Sequence, residues 1–125
     1  MKIRLETEAK LHIQKCIRER IYSLCWSFVL DYENSKNPFE DKQNAIALWA
    51  KIADDFCPSS DAILLQSKAI VRLGIQSLDA LHIACAIKRE CHYFITTDKG
   101  ILSKHIEGIQ LINPIDFVVK MEDLS

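Results

Sequence analysis

Ser77-Leu78-Asp79-Ala80-Leu81-His82-Ile83-Ala84-Cys85-Ala86-Ile87-Lys88-Arg89-Glu90-Cys91-His92-Tyr93-Phe94-Ile95-Thr96-Thr97-Asp98 is the stretch that decides the fold. Ser77 is suited to cap a helix, and Leu78 to about Glu90 read as that helix. His92 to Thr96 is aromatic and β-branched, the strongest strand pattern in the chain. Asp98 follows it after one more residue, flanked by the hydroxyls of Thr96 and Thr97. In open parallel sheets, ligands bind beyond the carboxyl ends of the strands, so this segment sets Asp98 at a functional rim.

The same alternation continues outward. Upstream, residues 4 to about 20 read as a helix whose apolar stripe is Leu5, Ala9, Ile13, Cys16 and Ile17. Ile21 to Trp26 reads as a short buried strand, and Ser27 caps a helix carrying Phe28 to Glu33. After the polar break Asn34–Lys36, Asn37-Pro38-Phe39-Glu40 predicts a helix with Asn37 as cap and Pro38 first, running through Ala45, Leu48, Trp49 and Ile52. Asp55-Phe56-Cys57 is a very short strand stopped by Pro58, and Ser60 caps a helix ending near Leu73 with Gly74 as its left-handed stop. Downstream come a short helix at Ile101–Lys104, a break at Gly108, a strand at Ile109–Ile112 and a closing helix from Pro114. Helices alternating with four short strands, without a tight-hairpin signal, predict a single α/β domain over residues 1–125 with a parallel sheet.

Composition bounds the function. The chain has 125 residues, 49% apolar and 26% charged, the balance of a globular domain rather than a disordered chain. Its net charge of −1 excludes a broad electrostatic grip on nucleic acid, so any such contact is local or carried by metal ions. No apolar run approaches the length of a membrane span, and the charged N-terminus lacks a secretory core. Five cysteines, an odd number without C-x-x-C spacing, predict buried thiols and a cytoplasmic setting. The four histidines are scattered and predict no zinc site.

Carboxylates are the chemistry that remains. Asp79 lies in the first turn of its helix, and Glu33 lies six residues after Ser27 with a side chain that leans back toward the helix start. With Asp98, these would repel one another unless a cation lay between them, and hard oxygens suit Mg²⁺ or Mn²⁺. Such an ion can activate water against a phosphodiester. Each acid also has a plain structural role open to it. Asp79 favours the helix dipole, Asp98 opens a turn with Lys99-Gly100, and Asp31 and Glu33 fit a solvated helix face. Spacing alone does not choose between the two.

Asp79-Ala80-Leu81-His82-Ile83-Ala84-Cys85-Ala86 followed by Phe94-Ile95-Thr96-Thr97-Asp98 resembles the second half of a PIN domain, a family of metal-dependent ribonucleases that includes toxins of bacterial toxin–antitoxin pairs. Gly108 to Pro114 resembles the family's closing strand and helix, and Ser27 to Glu33 its second acidic motif. The resemblance implies a three-layer α/β/α domain with a short parallel sheet of about four strands. It also implies one or two Mg²⁺ or Mn²⁺ ions held by Glu33, Asp79 and Asp98 as catalytic acids, with Thr96 as the supporting hydroxyl and RNA as substrate. His82, on the Asp79 face, is expected to be a hydrogen-bonded structural residue.

The resemblance has a gap. Met1-Lys2-Ile3-Arg4 leads straight into the first helix, so the family's central first strand and its Asp are missing, and Glu6 and Glu8 are not evident substitutes. The expectation is a shortened PIN-like chain or one that continues upstream of Met1, with impaired hydrolysis. Unpaired sheet edges predict homo-oligomers. The alternative function is a non-catalytic interaction module binding a protein such as an antitoxin, although Trp26 and Trp49 are expected in the core. A phosphoacceptor receiver domain ranks lower, because no acidic pair sits on a first strand and Lys99 adjoins Asp98.

Overall fold

The computed structural model describes all residues, Met1–Ser125. In chain order the elements are α1 (Lys2–Arg18), β1 (Cys25–Ser27), α2 (Phe28–Ser35), α3 (Glu40–Ile52), β2 (Asp55–Cys57), α4 (Asp61–Val71), α5 (Ser77–Lys88), β3 (Tyr93–Ile95), α6 (Lys99–Leu102), β4 (Gln110–Ile112) and α7 (Pro114–Leu124). The protein is mixed α/β, and its strands pair in parallel. Two compact units form, one from Met1–Tyr22 with His92–Ser125 and the other from Ser23–Cys91.

In the Ser23–Cys91 unit, β1 and β2 pair in the register Cys25↔Asp55, Trp26↔Phe56 and Ser27↔Cys57. Successive strand side chains alternate faces. Cys25, Ser27, Asp55 and Cys57 therefore share one face, and α5 packs on both strands. α4 lies against α5 through Ile63, Ser67 and Ile70 on one side and Ala80, Ile83 and Ala84 on the other. Ile63, Ile83 and Val29 are fully enclosed. Each such side chain contributes about 1.5–3 kcal/mol of transfer free energy. Ser27 and Ser60 cap α2 and α4 as the sequence predicts, accepting from Leu30 N at 3.3 Å and Ile63 N at 3.2 Å. Gly74 is the left-handed stop after α4, with φ 95°. Trp26 is buried and its Nε1 donates to Asp31 Oδ1 at 2.8 Å, while Trp49 is half-buried.

In the other unit, Ile13 of α1, Ile112 of β4 and Phe117 of α7 form the core, with Tyr22 and Tyr93 packed on it. Both tyrosine rings meet Phe117 edge-on, at centroid distances of 5.3 and 5.1 Å. β3 and β4 pair in the register Tyr93↔Gln110 to Ile95↔Ile112. Asn113 caps α7 at Asp116 N, 2.8 Å away, with Pro114 first in the helix.

Several boundaries differ from the sequence reading. The strand expected at Ile21–Trp26 begins only at Cys25, because the end of α1 claims the earlier amides. Ile21 N and Tyr22 N both donate to Cys16 O, at 2.8 and 3.3 Å, around Arg20 at φ 64°. Asn37 caps no helix. Its Oδ1 accepts from Phe39 N at 3.1 Å in a local turn, and α3 starts at Glu40. Ser77 is the first residue of α5 rather than its cap, and no side chain caps that helix. The helix expected at Ile101–Lys104 lies at Lys99–Leu102, because the Asp98 carboxylate starts it.

The largest difference is in the sheet. The four strands form two separate parallel pairs, β1–β2 and β3–β4, rather than one sheet of about four. No further strand is present among these residues to join them.

Candidate acidic site

The Ser23–Cys91 unit carries Glu33 and Asp79. Ser27 ends β1 in an extended conformation and its hydroxyl starts α2, which sets Glu33 on the second turn. The ring Nε2 of His82 donates to Glu33 Oε1, joining α5 to α2. The His82 side chain is 15% exposed and that of Glu33 43%, so the bond shelters the ring and leaves the acid open to water. Asp79 lies one turn before His82 on α5, half-buried, in the first turn where the helix dipole favours negative charge. Asp31 is committed to the Trp26 indole.

The other unit carries Thr96 and Asp98. Thr96 N donates to Ile112 O at 3.0 Å and prolongs the β3–β4 ladder by one residue. Its hydroxyl oxygen accepts from Asp98 N at 3.1 Å, a local contact two residues on. Asp98 Oδ1 accepts from Ile101 N at 3.1 Å. A Cβ at Gly100 would lie 3.1 Å from that same oxygen, so the small residue leaves the carboxylate its room. Beside Thr97 lies an open hollow of about 510 Å³, lined by Lys2, Lys99 and Asn113 and by two further acids, Glu6 and Asp116. Glu8 instead pairs with Arg4 at 3.2 Å on the exposed side of α1.

The four candidate residues thus fall two in each unit, with Glu33 tied to His82 and Thr96 tied to Asp98. Sequence reasoning foresaw a hydrogen-bonded His82 but not its partner. It also left Glu6 and Glu8 equivalent, and only the packing of α1 separates them. The donor types suit a hard divalent ion. Glu33 and Asp98 each spend one oxygen on a protein donor, and within neither unit do three His, Cys, Asp or Glu side chains converge to hold a metal. No protein-family model matches the sequence, and neither a curated protein nor a solved structure matches it significantly. No helix is long and apolar enough to cross a membrane.

Proposed function

We propose that this chain is a PIN-like domain of the metal-dependent endoribonuclease type, with Glu33, Asp79 and Asp98 as the acids of a Mg²⁺ or Mn²⁺ site and Thr96 as its supporting hydroxyl. The observation that carries the reading is the Asp79–Ala86 helix followed in sequence by a parallel strand that leads into Thr96-Thr97-Asp98, where the Thr96 hydroxyl holds the Asp98 backbone. The Glu33–His82 bond supports it by fixing one acid to the helix that carries another. The finer architecture, a three-layer α/β/α domain, belongs to this proposal too.

Because Glu33 and Asp98 each spend one oxygen on a protein donor, hydrolysis by these residues is expected to be slow. The test is cleavage of a single-stranded RNA with Mn²⁺, with EDTA, and with Asp98→Asn. Cleavage that requires both the metal and Asp98 supports the reading. Cleavage indifferent to either, or none above the variant, counts against it.

A second reading is favoured by α3. This helix carries Ile46, Leu48, Trp49 and Ile52 yet buries none of its side chains fully, and Leu48 is 59% exposed. A non-catalytic module that binds a protein such as an antitoxin through this helix would use that surface. Its signature is co-purification with one stoichiometric partner that is lost in Leu48→Asp.

A further inference from the structure

α4 carries more apolar surface than α5 covers. Ile63, Ser67 and Ile70 are its buried residues, on the side that packs against α5. The other apolar residues of the helix, Ala62, Leu64, Leu65, Ala69 and Val71, are all exposed. Leu65 is the extreme, 73% exposed in the middle of the helix. A helix that is apolar on nearly every side belongs between two neighbours rather than against one. Isolated exposed leucines are ordinary, but a contiguous apolar face marks a contact surface.

The charges on this face are sorted by sign along the helix. At about 100° per residue, Asp61, Leu65, Lys68 and Arg72 fall on one stripe, with the alternating four- and three-residue steps of a two-helix seam. Ala62 and Ala69 border the stripe on one side, and Leu64 and Val71 on the other. Asp61 opens the helix, Lys68 lies in its last turn and Arg72 closes it. All three charged residues are exposed, and none is ion-paired within the chain.

We propose that this face is the interface of a homodimer, in which α4 of a second copy docks antiparallel about a two-fold axis between Gln66 and Ser67. A stripe that is acidic at its start and basic at its end is complementary to itself in that arrangement and in no parallel one. Antiparallel, Asp61 stands level with the partner's Arg72, at both ends of the contact. Leu65 stands level with the partner's Lys68, whose methylene stem can cover it while the ammonium stays in water. The two Leu65 residues flank the axis, about 4.5 Å apart along it. On one flank Leu64 lies beside the partner's Val71. On the other, Ala62 lies beside the partner's Ala69, where small side chains let the helices approach. Parallel packing would instead set Asp61 against Asp61 and Arg72 against Arg72, which repel.

The contributions divide by position. Leu65, at the centre, supplies the affinity, because a central apolar side chain is the one most fully desolvated. The two Asp61–Arg72 pairs lie at the ends, where water screens them, so they fix direction and register more than strength. A helix of 11 residues gives a contact below the standard interface size, so the dimer is weak, with Kd on the order of 10–100 μM. The interface joins the copies through side chains alone and is isologous, so it closes at two. Pairing through open strand edges would instead join backbones and would be indifferent to residues 61 and 72.

The test is sedimentation equilibrium of the full chain up to about 0.5 mM, well above the expected Kd. Wild type should fit a monomer–dimer equilibrium, and Leu65→Asp should raise Kd at least about 10-fold. Asp61→Arg and Arg72→Asp should each weaken the dimer alone, since each sets two like-charged pairs across the axis. Mixed in equal amounts, those two variants should form a heterodimer at least about 10-fold tighter than either homodimer, because both end pairs are again opposite in sign. Mixing does not rescue a misfolded chain, so the mixture separates a lost contact from a lost fold. A wild type that stays monomeric, an association that Leu65→Asp leaves unchanged, or a mixture no tighter than its components would overturn the proposal.

Discussion

At the residue scale, single side chains start and stop these elements, and the sequence shows most of them. Ser27, Ser60, Asn113 and Gly74 each act where their chemistry predicts. Asp98 is instructive because its two readings coexist. One oxygen serves as the cap of α6, and the residue still stands at the end of a parallel strand. What the sequence does not show is which non-glycine residues are forced into left-handed backbone. Glu90 takes φ 60° after α5, where a side chain costs about 1–2 kcal/mol. Glu90→Gly is therefore expected to stabilise the protein by about 0.5 kcal/mol once glycine's own entropy loss is subtracted. Chemical denaturation measures this, and a destabilised variant would count against the strain.

At the element scale, the long contacts decide, and these are poorly legible in a sequence. Residues Cys25 and Ser27, like Asp55 and Cys57, alternate at the strand period, so their shared face could be read from spacing. That Arg89 returns from α5 to Asp55 could not, because 34 residues separate them. The Arg89 hydrogen bonds hold the Asp55 carboxyl below its ordinary range. A depressed carboxyl supports the fold above its unfolded pKa and loses that support as pH falls through the folded value. The thermal midpoint difference between wild type and Asp55→Asn should then be present at pH 7 and shrink as pH falls below the unfolded value near 4. A difference that does not shrink with acidification would place the effect elsewhere than in ionisation. In the other unit, Phe117 touches both tyrosine rings and anchors the core. Phe117→Ala should cost about 3–5 kcal/mol. Amide exchange should then accelerate in α1, β3, β4 and α7, and unchanged protection there would refute this core.

At the scale of the whole molecule, alternation of helix and strand was enough to predict an α/β protein with parallel pairing, but not how many strands would share a sheet. Pairing needs a neighbour, and each of these three-residue strands has only one. Open strand edges leave backbone groups that favour a further chain. Sedimentation velocity is expected to show concentration-dependent association, and a strict monomer across the accessible range would exclude edge pairing. The candidate site follows the same logic. Its acids were legible as types at plausible positions, while their convergence depends on elements that strand pairing must align.

The most direct test of the central claim is RNA cleavage by the full chain with Mn²⁺, with EDTA, and in Asp98→Asn. The account predicts slow cleavage that EDTA abolishes and that Asp98→Asn lowers by at least about 10-fold, since even an indirect loss at a metal site costs that much. Cleavage unaffected by EDTA or by the substitution, or no cleavage above the variant, would contradict it.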